Sequence, residues 1–107
     1  MAEYRTVLKR DELPEETGRT VEVDGKLIAI FRYQGKLYAI DDTCPHMGAS
    51  LAEGYVENGI VTCPWHAWRF RLQDGAWVDN PRLKIGCYAV REVGDEIQLA
   101  LHEPHSS

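Results

Sequence analysis

The apolar positions of this chain keep to short stretches, and none follows the 3.6-residue period of a long helix. Residues 4–9 and 20–23 are β-prone runs. Residues 27–33 are almost continuously apolar, which predicts a strand buried on both faces. Residues 36–41 complete a hairpin with it across Gln34-Gly35. Residues 55–56 and 60–63 predict a second hairpin across Asn58-Gly59. In residues 68–72, Trp68, Phe70 and Leu72 alternate with Arg69 and Arg71, the period of a half-buried strand. Asp74-Gly75 turns that strand towards 77–78, and 79–82 reads as a loop. Residues 87–93 and 96–101 are the last strands, with Ile97, Leu99 and Leu101 on one face.

The turn pairs carry the same message. Turn signals recur at Asp24-Gly25, Gln34-Gly35, Asn58-Gly59, Asp74-Gly75 and Gly94-Asp95, and Asn-Gly and Asp-Gly supply the positive φ angles that tight hairpins need. A helical turn fits only within residues 10–17, with Asp11 as its cap and Pro14 in its first turn. The expected fold is all-β in one domain over residues 1–107. A loop-rich insert of about residues 42–80 interrupts a strand-rich base.

Composition narrows the function. A formal net charge of -5 argues against a nucleic-acid binder, which needs a basic face against phosphate. The acidic residues Glu12, Glu15 and Glu16 read as a solvated surface, or more sharply as an electrostatic guide for a basic partner. The longest apolar run is five residues, 27–31, against the ~20 of a membrane span. Residues 1–5 lack the apolar stretch of a signal peptide. Three cysteines make no disulfide framework once two serve as ligands. The expectation is a soluble, cytoplasmic protein of a reducing compartment.

Two segments carry candidate chemistry. Cys44-Pro45-His46 is followed after sixteen residues by Cys63-Pro64-Trp65-His66. Each offers one thiolate and one imidazole on a loop after a strand. Two such pairs make a metal centre the first hypothesis. Structural zinc could use a Cys2His2 set in this order, although zinc fingers usually run two cysteines and then two histidines. A catalytic cysteine with a histidine base needs one pair and leaves the second unexplained.

Ligand order and spacing resemble the Rieske [2Fe-2S] motif, Cys-x-His followed by Cys-x-x-His. Gly48 after His46, Phe70 four residues after His66, and Asn80-Pro81 in place of the family's proline loop strengthen the resemblance. It covers about residues 36–101 and implies an antiparallel β-sandwich or barrel base with a small cluster-binding subdomain. It further implies Cys44 and Cys63 on one iron of the cluster and His46 and His66 on the other. Replacing two thiolates by neutral donors raises the potential above that of an all-cysteine cluster.

Departures from the pattern refine what the resemblance implies. High-potential members have a second cysteine in each ligand loop; here those positions are Ala49 and Trp65. Trp68 stands where such members place a serine near the cluster. Fewer hydrogen bonds to cluster sulfur imply a potential near the bottom of the roughly -150 to +300 mV Rieske range. Ala67 replaces a customary glycine, which bears on the detail of that loop. A catalytic oxygenase subunit would also need a mononuclear iron site. The remaining histidines, His102 and His105, read as part of a solvated tail.

The resemblance therefore implies a one-electron carrier and not an enzyme. It would act as a monomer between a flavin-dependent reductase and a terminal oxygenase. The alternative is the small subunit of an NAD(P)H nitrite reductase, beside its large subunit. Met47, Trp65 and Pro81 are expected at the histidine edge, as a docking surface or as a shield. Trp68, Phe70 and Trp77 are expected in the core, Arg69 and Arg71 in solvent, and Cys87 as a buried thiol.

Overall fold

The structure is a computed structural model, and it describes residues 4–44, 49–64 and 68–100. Among the described residues, eleven strands form two antiparallel sheets. The strands are β1 (Arg5–Lys9), β2 (Thr17–Val23), β3 (Lys26–Tyr33), β4 (Lys36–Asp41), β5 (Tyr55–Glu57) and β6 (Ile60–Thr62). They continue with β7 (Arg69–Arg71), β8 (Ala76–Trp77), β9 (Asn80–Lys84), β10 (Cys87–Val93) and β11 (Glu96–Ala100). The first sheet runs β1-β11-β10-β4-β3-β2 and the second β5-β6-β7-β8-β9.

The expected hairpin turns are present for the expected reason. Asp24-Gly25, Gln34-Gly35 and Asn58-Gly59 hold positive φ at both central residues, the twist that suits a two-residue hairpin. They fix the registers Val23↔Lys26, Tyr33↔Lys36 and Glu57↔Ile60.

The apolar run in β3 is buried on both faces because it divides two cores. Ile28 and Ile30 face one core, with Leu8, Leu13, Val23, Ala39, Ile97 and Leu99. Ala29 and Phe31 face the other, with Ile40, Leu51, Val61 and Phe70. β4 splits its residues in the same way, Ala39 to one side and Ile40 to the other. The first core gathers residues from five strands of one sheet, so that sheet is curled into a nearly closed barrel. An Arg5–Asp24 ion pair of 3.1 Å spans from β1 to the turn after β2. The second core lies between the barrel wall and the second sheet.

Three expectations are corrected. Residues 79–82 are not simply a loop: most of them enter β9, an exposed edge strand paired to β8 with a shifted register. Pro81 is tolerated there because an edge strand leaves some N–H positions unpaired. The turn in 10–17 is a short 3-10 turn over Arg10–Glu12. Asp11 lies inside it, Pro14 follows it, and Glu12 Oε1 accepts the Lys9 N–H at 2.8 Å. Cys87 is exposed, not buried. It opens β10, where pairing with β4 only begins, and its Sγ lies 3.5 Å from the Gln73 carbonyl oxygen.

Candidate metal centre

The loop that carries the first Cys/His pair grows from the end of β4. Asp41, the last strand residue, accepts the Gly86 N–H at 2.7 Å and the Tyr88 hydroxyl at 2.5 Å. Lys26 Nζ donates to the same hydroxyl at 3.1 Å. Burial, with the Asp41 carboxylate beside it, raises the Tyr88 pKa above its ordinary value. The hydrogen bond to Tyr88 raises that of Lys26.

Asp42 then turns inward. It is 3% exposed, the only buried polar or charged side chain among the described residues. Its Oδ1 accepts the Ser50 hydroxyl at 2.8 Å and the Ala52 N–H at 3.0 Å. Its carbonyl accepts the Leu51 N–H at 2.7 Å, and its own N–H reaches the Leu27 carbonyl at 3.1 Å. Thr43 bridges to Ser50, and the Cys44 N–H donates to the Ala49 carbonyl at 2.9 Å. Residues 42–44 and 49–52 thus form a closed neck.

The second neck is built differently. β6 and β7 pair through Thr62↔Arg69 and Val61↔Phe70, and Cys63 follows β6 directly. The Cys63 N–H donates to the Trp68 carbonyl at 2.7 Å. Trp68 stacks on Trp77 with centroids 4.1 Å apart and planes 15° from parallel, and meets Phe70 at 6.4 Å. These rings are core packing, as expected, with Phe70 fully buried and both indoles half-buried. The Trp77 Nε1–H is buried and meets no acceptor among the described residues.

The necks approach each other closely at Gly54. Gly54 ends the 3-10 turn Leu51–Glu53, and a Cβ there would lie 2.0 Å from the Thr62 carbonyl oxygen. Thr62 directly precedes Cys63.

The structure therefore brings Cys44 and Cys63 into the same apolar core, at 0% and 1% exposure and in no disulfide. Each is the first residue of a loop closed by its own N–H on the carbonyl five positions on. Two buried soft donors at matching loop necks fit a cluster that takes two cysteines on one iron. His46, Met47, Trp65 and His66 lie outside the described residues, as do His102 and His105. The described residues alone place no three metal-binding side chains together. Pro81 is exposed on β9. Arg69 and Arg71 are exposed as expected, ion-paired with Asp79 and Asp74.

Sequence reasoning missed Asp42, Gly54 and the indole stack. A faint signal for Gly54 exists, because it is a glycine outside any hairpin turn pair. Asp42 and Asp41 are the same residue type side by side, and only the fold separates their roles.

Comparison with known proteins agrees with this geometry. The family model of the Rieske [2Fe-2S] domain matches residues 3–90. The ferredoxin component of the naphthalene 1,2-dioxygenase/salicylate 5-hydroxylase systems of Ralstonia sp is 35% identical over 92 residues, covering 85% of this chain and 88% of the relative. A Mycobacterium tuberculosis structure assigned as an NADH-dependent nitrite reductase small subunit superposes with a TM-score of 0.86 at 29% identity. It covers 94% of this chain and 96% of that one. The complex of reduced oxygenase and oxidised ferredoxin in carbazole 1,9a-dioxygenase contains a chain matching at a TM-score of 0.81 and 28% identity. That match covers 91% of this chain and 92% of the other.

Proposed function

The chain belongs to the Rieske [2Fe-2S] domain family, as an electron carrier with one such cluster, and from that premise we propose its ligands and its place in electron flow. Cys44, His46, Cys63 and His66 hold the cluster. Electrons enter from a flavin-dependent reductase and leave to a terminal oxygenase, with the chain acting as a cytoplasmic monomer. The observation that carries the ligand assignment is the pair of buried cysteines at matching loop necks, each with a histidine two or three positions on. The oxygenase as acceptor rests on the dioxygenase ferredoxin relative and on the carbazole dioxygenase complex. Among the described residues no helix is long and apolar enough to cross a membrane.

When bound, the cluster supplies reversible one-electron exchange. The chain's own residues set its surroundings. Phe70, Leu51 and Val61 exclude water from the cysteine side. Ala49 is buried beside Cys44 and brings neither a thiol nor a hydroxyl. That supports a potential near the bottom of the roughly -150 to +300 mV Rieske range. The exposure of Pro81 suits a docking contact better than a shield.

The test is the visible and EPR spectrum of the purified protein with an equilibrium redox titration. A Rieske spectrum that Cys44→Ser abolishes, with a low midpoint, is the expected result. A colourless protein holding one zinc would overturn the ligand assignment, and a midpoint well above zero would overturn the low potential. The nitrite reductase small subunit is the second reading, favoured by the TM-score of 0.86. Reduction by a flavin reductase as a monomer favours the ferredoxin; copurification with a large subunit favours the alternative.

A further inference from the structure

We propose that Asp42 is the positioning residue of the first ligand loop, and that it acts as a hydrogen-bond acceptor clamping the neck that holds Cys44. The proposal rests on the ligand assignment above.

A carboxylate at 3% exposure is costly unless its lone pairs are used. Asp42 has no ion-pair partner among the described residues, so hydrogen bonds carry the compensation. Both donors to its side chain, Ser50 Oγ and the Ala52 N–H, belong to the returning limb of the loop. Its carbonyl holds the same limb through Leu51, while its N–H ties the outgoing limb to Leu27 of β3. One residue thus fastens both limbs to each other and to the barrel wall. Cys44 follows two positions later.

Other supports of this neck are the packing of Ala49 and Leu51 in the core and two backbone contacts between its limbs. Thr43↔Ser50 is a single bridge, and Cys44–Ala49 is one backbone bond. The hydroxyl of Thr20 lies 3.3 Å from that of Ser50, so Ser50 also touches β2. Without an acceptor at position 42, the partly buried Ala52 N–H loses its partner and the Ser50 hydroxyl keeps only its contact with Thr20, so the returning limb shifts to find partners. Cys44, two positions on, then loses its fixed place in the core. Groups that orient ligands in this way affect metal retention by about 10–100-fold.

The acceptor can be separated from the charge. In Asp42→Asn the amide oxygen can occupy the Oδ1 position and accept the same two hydrogen bonds. In Asp42→Ala there is no acceptor. The experiment follows loss of the visible spectrum under an iron chelator, together with EPR of the reduced protein, for wild type, Asp42→Asn, Asp42→Ala and Ser50→Ala.

Asp42→Ala is expected to lose its cluster roughly 10- to 100-fold faster than wild type, with altered EPR line positions. Asp42→Asn is expected to restore retention to within about threefold and to recover the wild-type line positions. Ser50→Ala should fall between, and it carries the test if Asp42→Ala does not fold. Wild-type retention in Asp42→Ala overturns the proposal. So does an Asp42→Asn as fast as Asp42→Ala, or, where the latter is unfolded, a Ser50→Ala indistinguishable from wild type. A wild-type protein with no Rieske spectrum would instead overturn the ligand assignment beneath it.

Discussion

The two loops that carry the Cys/His pairs are closed by the same bond and held by different physics. In each, a buried cysteine donates its N–H to the carbonyl five positions on. Around the first, hydrogen bonds converge on Asp42, beside the packing of Ala49 and Leu51 in the core. Around the second, they are a strand ladder from β6 to β7 and the stack of Trp68 on Trp77. A hydrogen-bonded clamp is directional and concentrated in a few atoms, so removing its acceptor takes a partner from two donors at once. A ladder backed by packed rings spreads the same task over many weak contacts. The second neck should therefore yield gradually to substitution, and the first abruptly.

The largest effect is expected where the necks meet. Gly54 has φ -84° and ψ -173°, an extended backbone that any residue could adopt. Its requirement is space: an added Cβ would sit 2.0 Å from the Thr62 carbonyl oxygen and 3.3 Å from that of Leu51. Both obstacles are backbone and belong to opposite necks. Gly54→Ala must push the Cys44 neck away from the Cys63 neck. The expected loss is about 3 kcal/mol, the upper part of the range for overpacking. At roughly 4–8 °C per kcal/mol this is a fall in Tm of at least about 12 °C, read by thermal denaturation. Cluster content after purification should fall with it. A variant with wild-type Tm would show that the necks do not bear on each other.

A smaller effect is expected within the second neck. Trp68→Leu and Trp77→Leu each remove one face of the stack and leave a smaller apolar side chain. A double-mutant cycle by chemical denaturation should give a coupling of about 0.5–1.5 kcal/mol for the ring pair. Each single variant should keep its cluster longer than Asp42→Ala does. The reverse order would invert the contrast between the necks.

Much of this architecture was legible in the sequence because its signals are local. Asn58-Gly59 and its counterparts announce hairpins by backbone sterics alone. The unbroken run in β3 announces burial on both faces, and the two cores account for it. The Cys/His spacing marked both loops before any coordinates. What was not legible depends on distant neighbours. Nothing in Asn80-Pro81-Arg82 suggests a strand, because β9 is an exposed edge that needs no apolar alternation. Cys87 sits in an apolar stretch, yet solvent reaches it where its strand begins. Asp42 is unremarkable until Ser50 and Ala52 are folded back onto it.

The smallest effect concerns the turn that carries β8 and its half of the indole stack. Asp74 receives Arg71 Nε at 3.2 Å and the Ala76 N–H at 3.0 Å, with a second contact from the Arg71 guanidinium. The hydrogen bond from Arg71 lowers the Asp74 pKa below its ordinary value of 3.8, and partial burial opposes this. A carboxylate whose folded pKa is depressed binds fewer protons folded than unfolded near that pH, so its stabilisation is full above the unfolded pKa. It fades as pH falls through the folded value. The pair is solvent-exposed enough that screening keeps the contribution small. Asp74→Asn retains an acceptor for the Ala76 N–H and removes only the charge. Its stability deficit against wild type should be present at neutral pH, shrink with added salt, and vanish in acid below the wild-type Asp74 pKa. Denaturation across that pH range measures it, alongside an NMR titration of the Asp74 carboxyl. A deficit that persists in acid would assign the effect to the turn's geometry and leave the ion pair without a role in holding the second neck.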